Sequence, residues 1–421
     1  MKKSICLLLF IVAITTLLGG CIKDQCKSTY TYTYYVPVYK TPAQVRANIR
    51  SNAPRPIERP GKIYIKPPYI FLNEVDKGIH IIDNSNPSNP INKAFIDIPG
   101  NMDIAVTGST LYADLYTDMV AMNIADPLSI GVTKIIDGVF PHRYYGNFRS
   151  DSSRVIVHWE KRDTTVTDDC SGNGSWGMET QAFFSSSSSA DGSGKANSSG
   201  VSPIGMGGSM ARFAIVNQRL YTVGETELNV FNISNTAQPS FSKKATIGWN
   251  IETLFPFKNN LFIGSNVGMF IYNISSPDNP VKTGQFSHVL SCDPVIADDN
   301  HAYVTLRSGN NCRNTINQMD VLQLNNLTNP TLVKTYPLTN PHGLSKDGNL
   351  LLVCDGKAGL KVYNAANAAN LQLLSTINNL ETYDVIAMNK IAIVVAKDGL
   401  YQYNYSDPSN LTLLSKLTIL K

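Results

Sequence analysis

Residues 268–280 read GMFIYNISSPDNP, an apolar strand that ends in asparagine and runs into a polar, proline-containing turn. The phrase recurs along the chain, with an Asp or Asn at the matching position of each copy: Asp83, Asn123, Asn232, Asn273, Asn325, Asn364 and Asn404. The intervals between these positions are 40, 109, 41, 52, 39 and 40 residues. A repeat of about 40 residues, with alternating apolar positions and Asn-Pro turns, is typical of β-propeller blades.

Each repeat divides into four short strands, which for the copy around Asn273 are predicted at 252–257, 261–264, 269–274 and 281–286. The interval of 109 residues leaves room for one further unit, whose first two strands are predicted at 144–148 and 154–167. The sequence therefore predicts an all-β fold, a β-propeller of eight four-stranded blades. Seven blades, with an insertion that carries a hairpin, is the alternative.

Several phrases of the chain resemble a known family. They are MGGSMARF (206–213), FSHVLSCDP (286–294), AYVTLRSG (302–309) and NPHGL (340–344). Together with the blade phrase, they resemble the LVIVD-repeat family, a propeller group found among bacterial lipoproteins. The resemblance covers residues 61–421, although 170–205 matches only as a variable loop. It implies a propeller fold and a location in the cell envelope, without a settled biochemical activity.

The N-terminal residues predict export and anchoring. Lys2 and Lys3 precede a short apolar run that ends LLGGC at Cys21, and this pattern resembles the lipobox of bacterial lipoproteins. We expect residues 1–20 to be a signal peptide and Cys21 to be acylated, which anchors the chain in a membrane. Residues 21–60 then form a tether, although the Tyr/Thr alternation at 31–34 is also compatible with an edge strand. The predicted location is the outer membrane, with display at the cell surface favoured over the periplasm-facing alternative.

The charge content excludes several classes of protein. Only 16% of the residues are charged and 43% are hydrophobic, which is incompatible with a highly charged disordered chain or a coiled coil. The net charge of +4 falls to +2 once Lys2 and Lys3 are removed with the signal peptide. Such a balanced chain lacks the excess of positive charge that nucleic-acid binding requires.

Alignment of the blades places one ionisable residue near the start of each predicted inner strand. The candidate axial ring consists of Lys62, Asp103, His142, Arg212, Glu252, Asp293, His342 and Asp384, where His142, or alternatively Arg143, belongs to the additional eighth unit. The carboxylates are suited to Ca²⁺ and His342 to a transition metal, so a metal or small polar ligand is one interpretation. The other, which we favour, is that neighbouring acids and bases neutralise each other. No cofactor is required by the sequence, and Ca²⁺ is the candidate if the ring binds one.

The cysteines and the two insertions map to the same face of the predicted propeller. Cys292 begins an inner strand and Cys312 follows the second strand of the same unit, so we predict a disulfide bond between them. The pairing of Cys26, Cys170 and Cys354 is left open. The insertions at 307–317 and 170–208 both follow a predicted second strand and should project from the face that carries the ring.

No catalytic motif stands out. The sequence contains neither G-x-S-x-G, a P-loop nor H-E-x-x-H. The function that follows is a lipid-anchored envelope propeller that acts as a binding or scaffold protein for a protein or glycan partner, with no catalysis expected. The alternative is a metal-assisted hydrolase with its site at the mouth of the axial channel.

Overall fold

The computed structural model describes residues 28–140, 144–145, 148–149, 153–168, 206–288, 294–308 and 316–419. The chain divides into two compact units. One comprises residues 1–38 and 158–186, and the other comprises residues 39–157 and 187–421. Among the described residues, no helix is long and apolar enough to cross a membrane.

The larger unit is a β-propeller, in which the described residues form seven blades of four antiparallel strands each. The chain runs from the innermost to the outermost strand of one blade and then enters the next. The first three blades are β3 (Pro60–Lys66), β4 (Tyr69–Glu74), β5 (Gly78–Asp83) and β6 (Ile91–Asp97); β7 (Ile104–Thr107), β8 (Thr110–Leu115), β9 (Asp118–Asn123) and β10 (Gly131–Ile136); and β15 (Phe213–Val216), β16 (Arg219–Val223), β17 (Glu227–Asn232) and β18 (Ser240–Thr246).

Blades four to seven follow without a large interruption. They are β19 (Ile251–Phe257), β20 (Asn260–Ser265), β21 (Gly268–Asn273) and β22 (Val281–Ser287); β23 (Val295–Ala297), β24 (His301–Leu306), β25 (Gln318–Gln323) and β26 (Thr331–Pro337); β27 (Leu344–Asp347), β28 (Leu350–Cys354), β29 (Leu360–Asn364) and β30 (Gln372–Ile377); and β31 (Thr382–Met388), β32 (Ile391–Ala396), β33 (Gly399–Asn404) and β34 (Thr412–Thr418). The strands of blade four agree with the predicted ones to within one residue at each end.

The prediction of eight blades is wrong, and the alternative of seven is confirmed for the residues that the structure describes. The segment expected to form an additional blade contains β11 (Tyr144–Tyr145), β12 (Phe148–Arg149) and the long β13 (Val155–Asp168). β11 and β12 pair with each other, and β13 pairs with β1 (Ser28–Lys40) near the N-terminus. A strand pattern with period two identifies a strand but not its partner, so the same residues were compatible with a blade.

The repeated phrase marks the end of the third strand and the turn that follows it. In blade four, the Asn273 side chain accepts a hydrogen bond of 2.9 Å from the backbone N–H of Ser275. Asp and Asn side chains favour this local turn, which ends the strand. The same contact is made by Asp83, Asn123, Asn232, Asn364 and Asn404. In blade five, the third strand ends at Gln323, so the alignment of Asn325 with these positions was wrong by two residues.

These turns also hold each blade to the one before it. Ser375, on the outer strand of blade six, donates a hydrogen bond of 2.7 Å to the carbonyl of Pro408 in the turn of blade seven. Ser415, at the same place in blade seven, donates one of 2.6 Å to Pro87 in blade one. Gly284, at the equivalent place in blade four, lies against the carbonyl of Leu327 in blade five. The repeat phrase therefore provides a contact between blades as well as a turn within one.

The ring closes between blades seven and one without exchange of a blade strand. The side-chain amides of Asn84 and Gln402 donate to each other over 3.0 and 2.6 Å. Ile57 forms a parallel bridge with Ile419, and both side chains are buried in the apolar layer between these two blades. The first and last blades are therefore held together by burial of this apolar layer, and no blade contains strands from both ends of the propeller.

Residues 41–60, expected to be part of a tether, are folded onto the first blades. A short helix, α1 (Pro42–Arg46), is capped by Thr41, and Arg46 of this helix donates a 2.5 Å hydrogen bond to Asp118. β2 (Arg50–Asn52) then extends the outer edge of blade one. The edge strand that the sequence suggested at 31–34 does not extend a blade, because these residues lie in β1, which pairs with β13 in a separate sheet. β2 takes the edge of blade one instead.

Candidate functional site

The described members of the predicted ring lie at or next to the starts of the inner strands. Glu252 and Asp384 lie within β19 and β31, while the remaining ones are placed as follows: Lys62 in β3, Asp103 directly before β7, Arg212 directly before β15, and His342 two residues before β27. His142 and Asp293 lie outside the described residues. We refer to the end of the propeller at which the inner strands begin as the ring face.

One arc of the ring neutralises itself. Lys62 and Asp103 form a buried ion pair between blades one and two, with 2.9 Å between Nζ and Oδ2. The same carboxylate accepts hydrogen bonds from the backbone N–H groups of Ile104 and Arg212. A buried carboxylate needs such partners, and here they come from three consecutive blades. The balanced-charge interpretation therefore describes this arc.

Arg212 continues the arc into blade four through backbone contacts. Its guanidinium donates to the carbonyls of Ile251 and Glu252 over 3.2 and 3.3 Å. These bonds connect the entrance of blade three to the first residues of β19. Arg212 thus has a structural role at the ring face.

His342 occupies the opposite arc as a buried, neutral imidazole. Burial, together with the positive charge of Arg307, lowers the pKa of His342 well below its usual value. Its Nε2 lies 3.1 Å from the amide nitrogen of Asn340, and its ring makes an edge contact with Tyr383. Because the amide donates to Nε2, the ring proton lies on Nδ1, for which the described residues provide no hydrogen-bond partner.

The described residues do not assemble a metal site around His342. No group of three or more His, Cys, Asp or Glu side chains in the described ranges is arranged to hold a metal ion. Asp384 instead packs against Gly343, where any side chain would overlap the Asp384 carboxylate. This contact brings the entrance of blade six against β31 of blade seven.

A short segment, 206–211, fills the centre of the ring, and the sequence did not indicate it. Met206 and Gly207 form β14 and pair with β3 of blade one. Ser209 accepts a 2.7 Å hydrogen bond from the N–H of Leu344 in blade six, and Ala211 accepts one of 2.7 Å from Leu254 in blade four. A segment that contacts three separate inner strands within six residues lies on the axis. The Gly-Gly pair was the available signal, since a Cβ atom at Gly207 would lie only 3.2 Å from the ring of Tyr64.

The cysteine predictions fall mostly outside the described residues. Cys21, Cys26, Cys170, Cys292 and Cys312 all lie there, so the 292–312 bridge stays a prediction. Cys354 is a buried free thiol in β28. Burial, and to a smaller extent the charge of Asp384, raises the pKa of Cys354 well above its usual value, which makes this thiol a poor nucleophile.

An exposed tryptophan marks the ring face. Trp249 lies in the connection between β18 and β19, and 76% of its surface is accessible. The backbone carbonyl of the next residue, Asn250, accepts a 3.1 Å hydrogen bond from the backbone N–H of Asn266 in the β20–β21 turn. The side chain of Val267, in the same turn, is also exposed. Tryptophan is buried to a large extent in most proteins, so an exposed one beside a second apolar residue is a candidate contact site.

Comparison with solved structures supports the fold. A protein from Lactobacillus plantarum has a TM-score of 0.52 at 11% identity, covering 86% of this chain and 97% of that one. The computationally designed Ika8 protein has a TM-score of 0.51 at 9% identity over 86% and 88%, and Sqt1 of Saccharomyces cerevisiae has 0.50 at 7% identity over 87% of each chain. At such identities the likeness concerns the fold alone. No protein-family model and no curated protein matches the chain.

Proposed function

We propose that this chain is a lipid-anchored β-propeller of the bacterial cell envelope that binds a protein partner through its ring face and does not act as a catalyst. The propeller fold is consistent with a binding or scaffold role. The observation on which the proposal rests is the exposure of Trp249 on the ring face, beside the exposed side chain of Val267.

The Trp249 turn is held in place by the propeller. Gly248 packs on the ring of Phe270, and Asn250 is bonded to the neighbouring turn. The indole is thus presented on a backbone that is fixed at both sides. Partners gain most binding energy from large aromatic side chains that lose little conformational freedom when they are covered.

The charged residues of the ring support binding over catalysis. Lys62 and Asp103 are buried against each other, and the Arg212 guanidinium is engaged by backbone carbonyls. A catalytic acid or base must reach the substrate with its proton-transferring atom. In this arc those atoms are already occupied by partners within the protein.

Replacement of Trp249 by alanine is expected to abolish or strongly reduce capture of a partner from envelope extracts, by at least about tenfold if Trp249 is a binding hot spot. The matched control is Leu128→Ala, which removes a 55% exposed apolar side chain from the β9–β10 turn at the opposite face. The measurement is quantitative pull-down with both variants and the wild type. Equal capture by all three proteins would refute a role of the ring face.

The lipid anchor is proposed from the sequence around Cys21, and membership of the LVIVD-repeat family from the blade phrase and the matching phrases within residues 61–421. Labelling of cells with a palmitate analogue is expected to mark the wild-type chain, whereas Cys21→Ala should remain unlabelled and leave the membrane fraction. Protease treatment of intact cells then distinguishes surface display from a periplasm-facing orientation, because only a surface-displayed chain is digested. A labelled Cys21→Ala protein would contradict acylation at this residue.

A further inference from the structure

The smaller unit contains a two-stranded ribbon whose register is defined by side-chain pairs. Thr29 and Thr31 of β1 lie opposite Thr167 and Thr165 of β13, with hydroxyl distances of 3.2 and 2.9 Å. Thr33 donates a 2.5 Å hydrogen bond to Asp163. The partner numbers fall as the β1 numbers rise, so the strands are antiparallel and Tyr32 lies opposite Thr164.

The two edges of this ribbon differ in chemistry. β13 carries Glu160, Lys161, Arg162 and Asp163 in succession, and its Arg162–Glu160 contact is 3.0 Å. Charges of this kind prevent a strand edge from pairing with another chain. Residues 29–36 of β1 read TYTYTYYV and contain no charge and no proline. Among the residues that the structure describes, β13 is the sole strand paired with β1.

An unprotected edge of this length is expected to be covered. Two-stranded ribbons are marginally stable in water, and a third strand would satisfy the outward N–H and C=O groups of β1. The Tyr30, Tyr32 and Tyr34 side chains share one face and are exposed, Tyr32 by 49%. Among the described residues, β1 is thus a strand of high β-propensity with one edge that no other strand covers and with exposed tyrosines on one face.

The sequence of β1 is complementary to itself. When two copies are placed antiparallel about a two-fold axis at Tyr32, Tyr30 meets Tyr34 and Thr31 meets Thr33. Every residue from 30 to 34 then faces its own type, and residues directly opposite in antiparallel strands point to the same face. Aromatic and Thr–Thr cross-strand pairs are stabilising. Such an arrangement is the self-complementary contact that a two-fold dimer needs.

We propose that β1 is a dimerisation strand, which pairs edge to edge with β1 of a second copy of this chain. The product is a four-stranded sheet in the order β13–β1–β1–β13. Its tyrosine face carries Tyr30, Tyr32 and Tyr34 from both copies, and its outer edges are the charged β13 strands. The charged edges end the assembly at two copies.

The test is the molar mass of the full chain in density-matched detergent at micromolar concentration, by analytical ultracentrifugation. The wild type is expected to be a dimer. Tyr32→Lys should be a monomer, because two like charges then lie directly opposite each other at the axis. The matched control is Thr164→Lys, which adds the same charge in the same cross-strand pair but on the outer strand, and it should stay dimeric.

A cysteine scan fixes the register independently of these variants. Tyr32→Cys is expected to form a disulfide with its own copy under mild oxidation, because directly opposite Cα atoms are about 4.5–5.5 Å apart, within reach of a disulfide. Thr29→Cys, which would face Tyr35, should form none beyond the wild-type background. A monomeric wild type, an open-ended series of larger assemblies, or a Tyr32→Lys protein that folds and stays dimeric would each overturn the proposal.

Discussion

Replacement of Lys62 by methionine is expected to lower the free energy of unfolding by about 3–5 kcal/mol, the cost of removing one partner of a buried ion pair. Methionine fills a similar volume but leaves the Asp103 carboxylate buried between blades one and two with backbone donors alone. The loss arises from this uncompensated charge. Denaturant unfolding of the variant and the wild type measures it.

Two further variants separate charge burial from other effects. Lys77→Met removes the partner of Glu58 in a pair that is about half exposed, and it should cost about 0–1 kcal/mol. Adding Asp103→Asn to Lys62→Met removes the buried charge, so the double variant should be more stable than Lys62→Met alone. If Lys62→Met lowers the free energy of unfolding by no more than Lys77→Met does, the ion pair of Lys62 and Asp103 does not stabilise the contact between blades one and two.

Replacement of Gly284 by valine is expected to destabilise the propeller by about 3 kcal/mol, at the upper end of the usual cost of overpacking. A side chain at this position would overlap the carbonyl oxygen of Leu327 in the next blade, which is backbone and unable to rotate away. The clash forces blades four and five apart. Thermal or denaturant unfolding of the variant measures the loss.

Gly131→Val is the matched control for this prediction. Gly131 lies on the outer strand of blade two and is exposed, and no atom lies within 4 Å of the place that a Cβ atom would take there. Valine at this position should change stability by no more than about 0.5 kcal/mol. Equal stability of Gly284→Val and Gly131→Val would show that the turn of one blade is not packed tightly against the outer strand of the preceding blade.

The sequence predicted the blades because the repeat encodes local structure. The Asn273 copy gives four strands whose bounds agree with the observed ones to within one residue, since alternation, strand-ending asparagine and proline turns all act within one unit. The same periodicity located the inner-strand starts, and hence Lys62, Asp103 and Arg212 as neighbours around the axis. The tyrosines Tyr272, Tyr363 and Tyr403, which recur directly before the strand-ending asparagine, are all buried.

What the sequence could not supply were pairings between distant segments. β13 alternates like a blade strand, yet it pairs with β1, more than a hundred residues earlier. The segment 206–211 has no periodicity at all, and its position on the axis follows from single hydrogen bonds to Leu344 and Leu254. Trp249 was not singled out either, because its exposure depends on how the β18–β19 connection folds against the next turn.

The central claim, that the ring face binds a protein partner, is tested most directly by a photo-reactive amino acid placed at position 249 in living cells. The predicted result is one discrete cross-linked partner from position 249 and from Val267, and none from the same amino acid at Leu128 on the opposite face. An adduct pattern shared by all three positions, or adducts from position 128 alone, would contradict the claim.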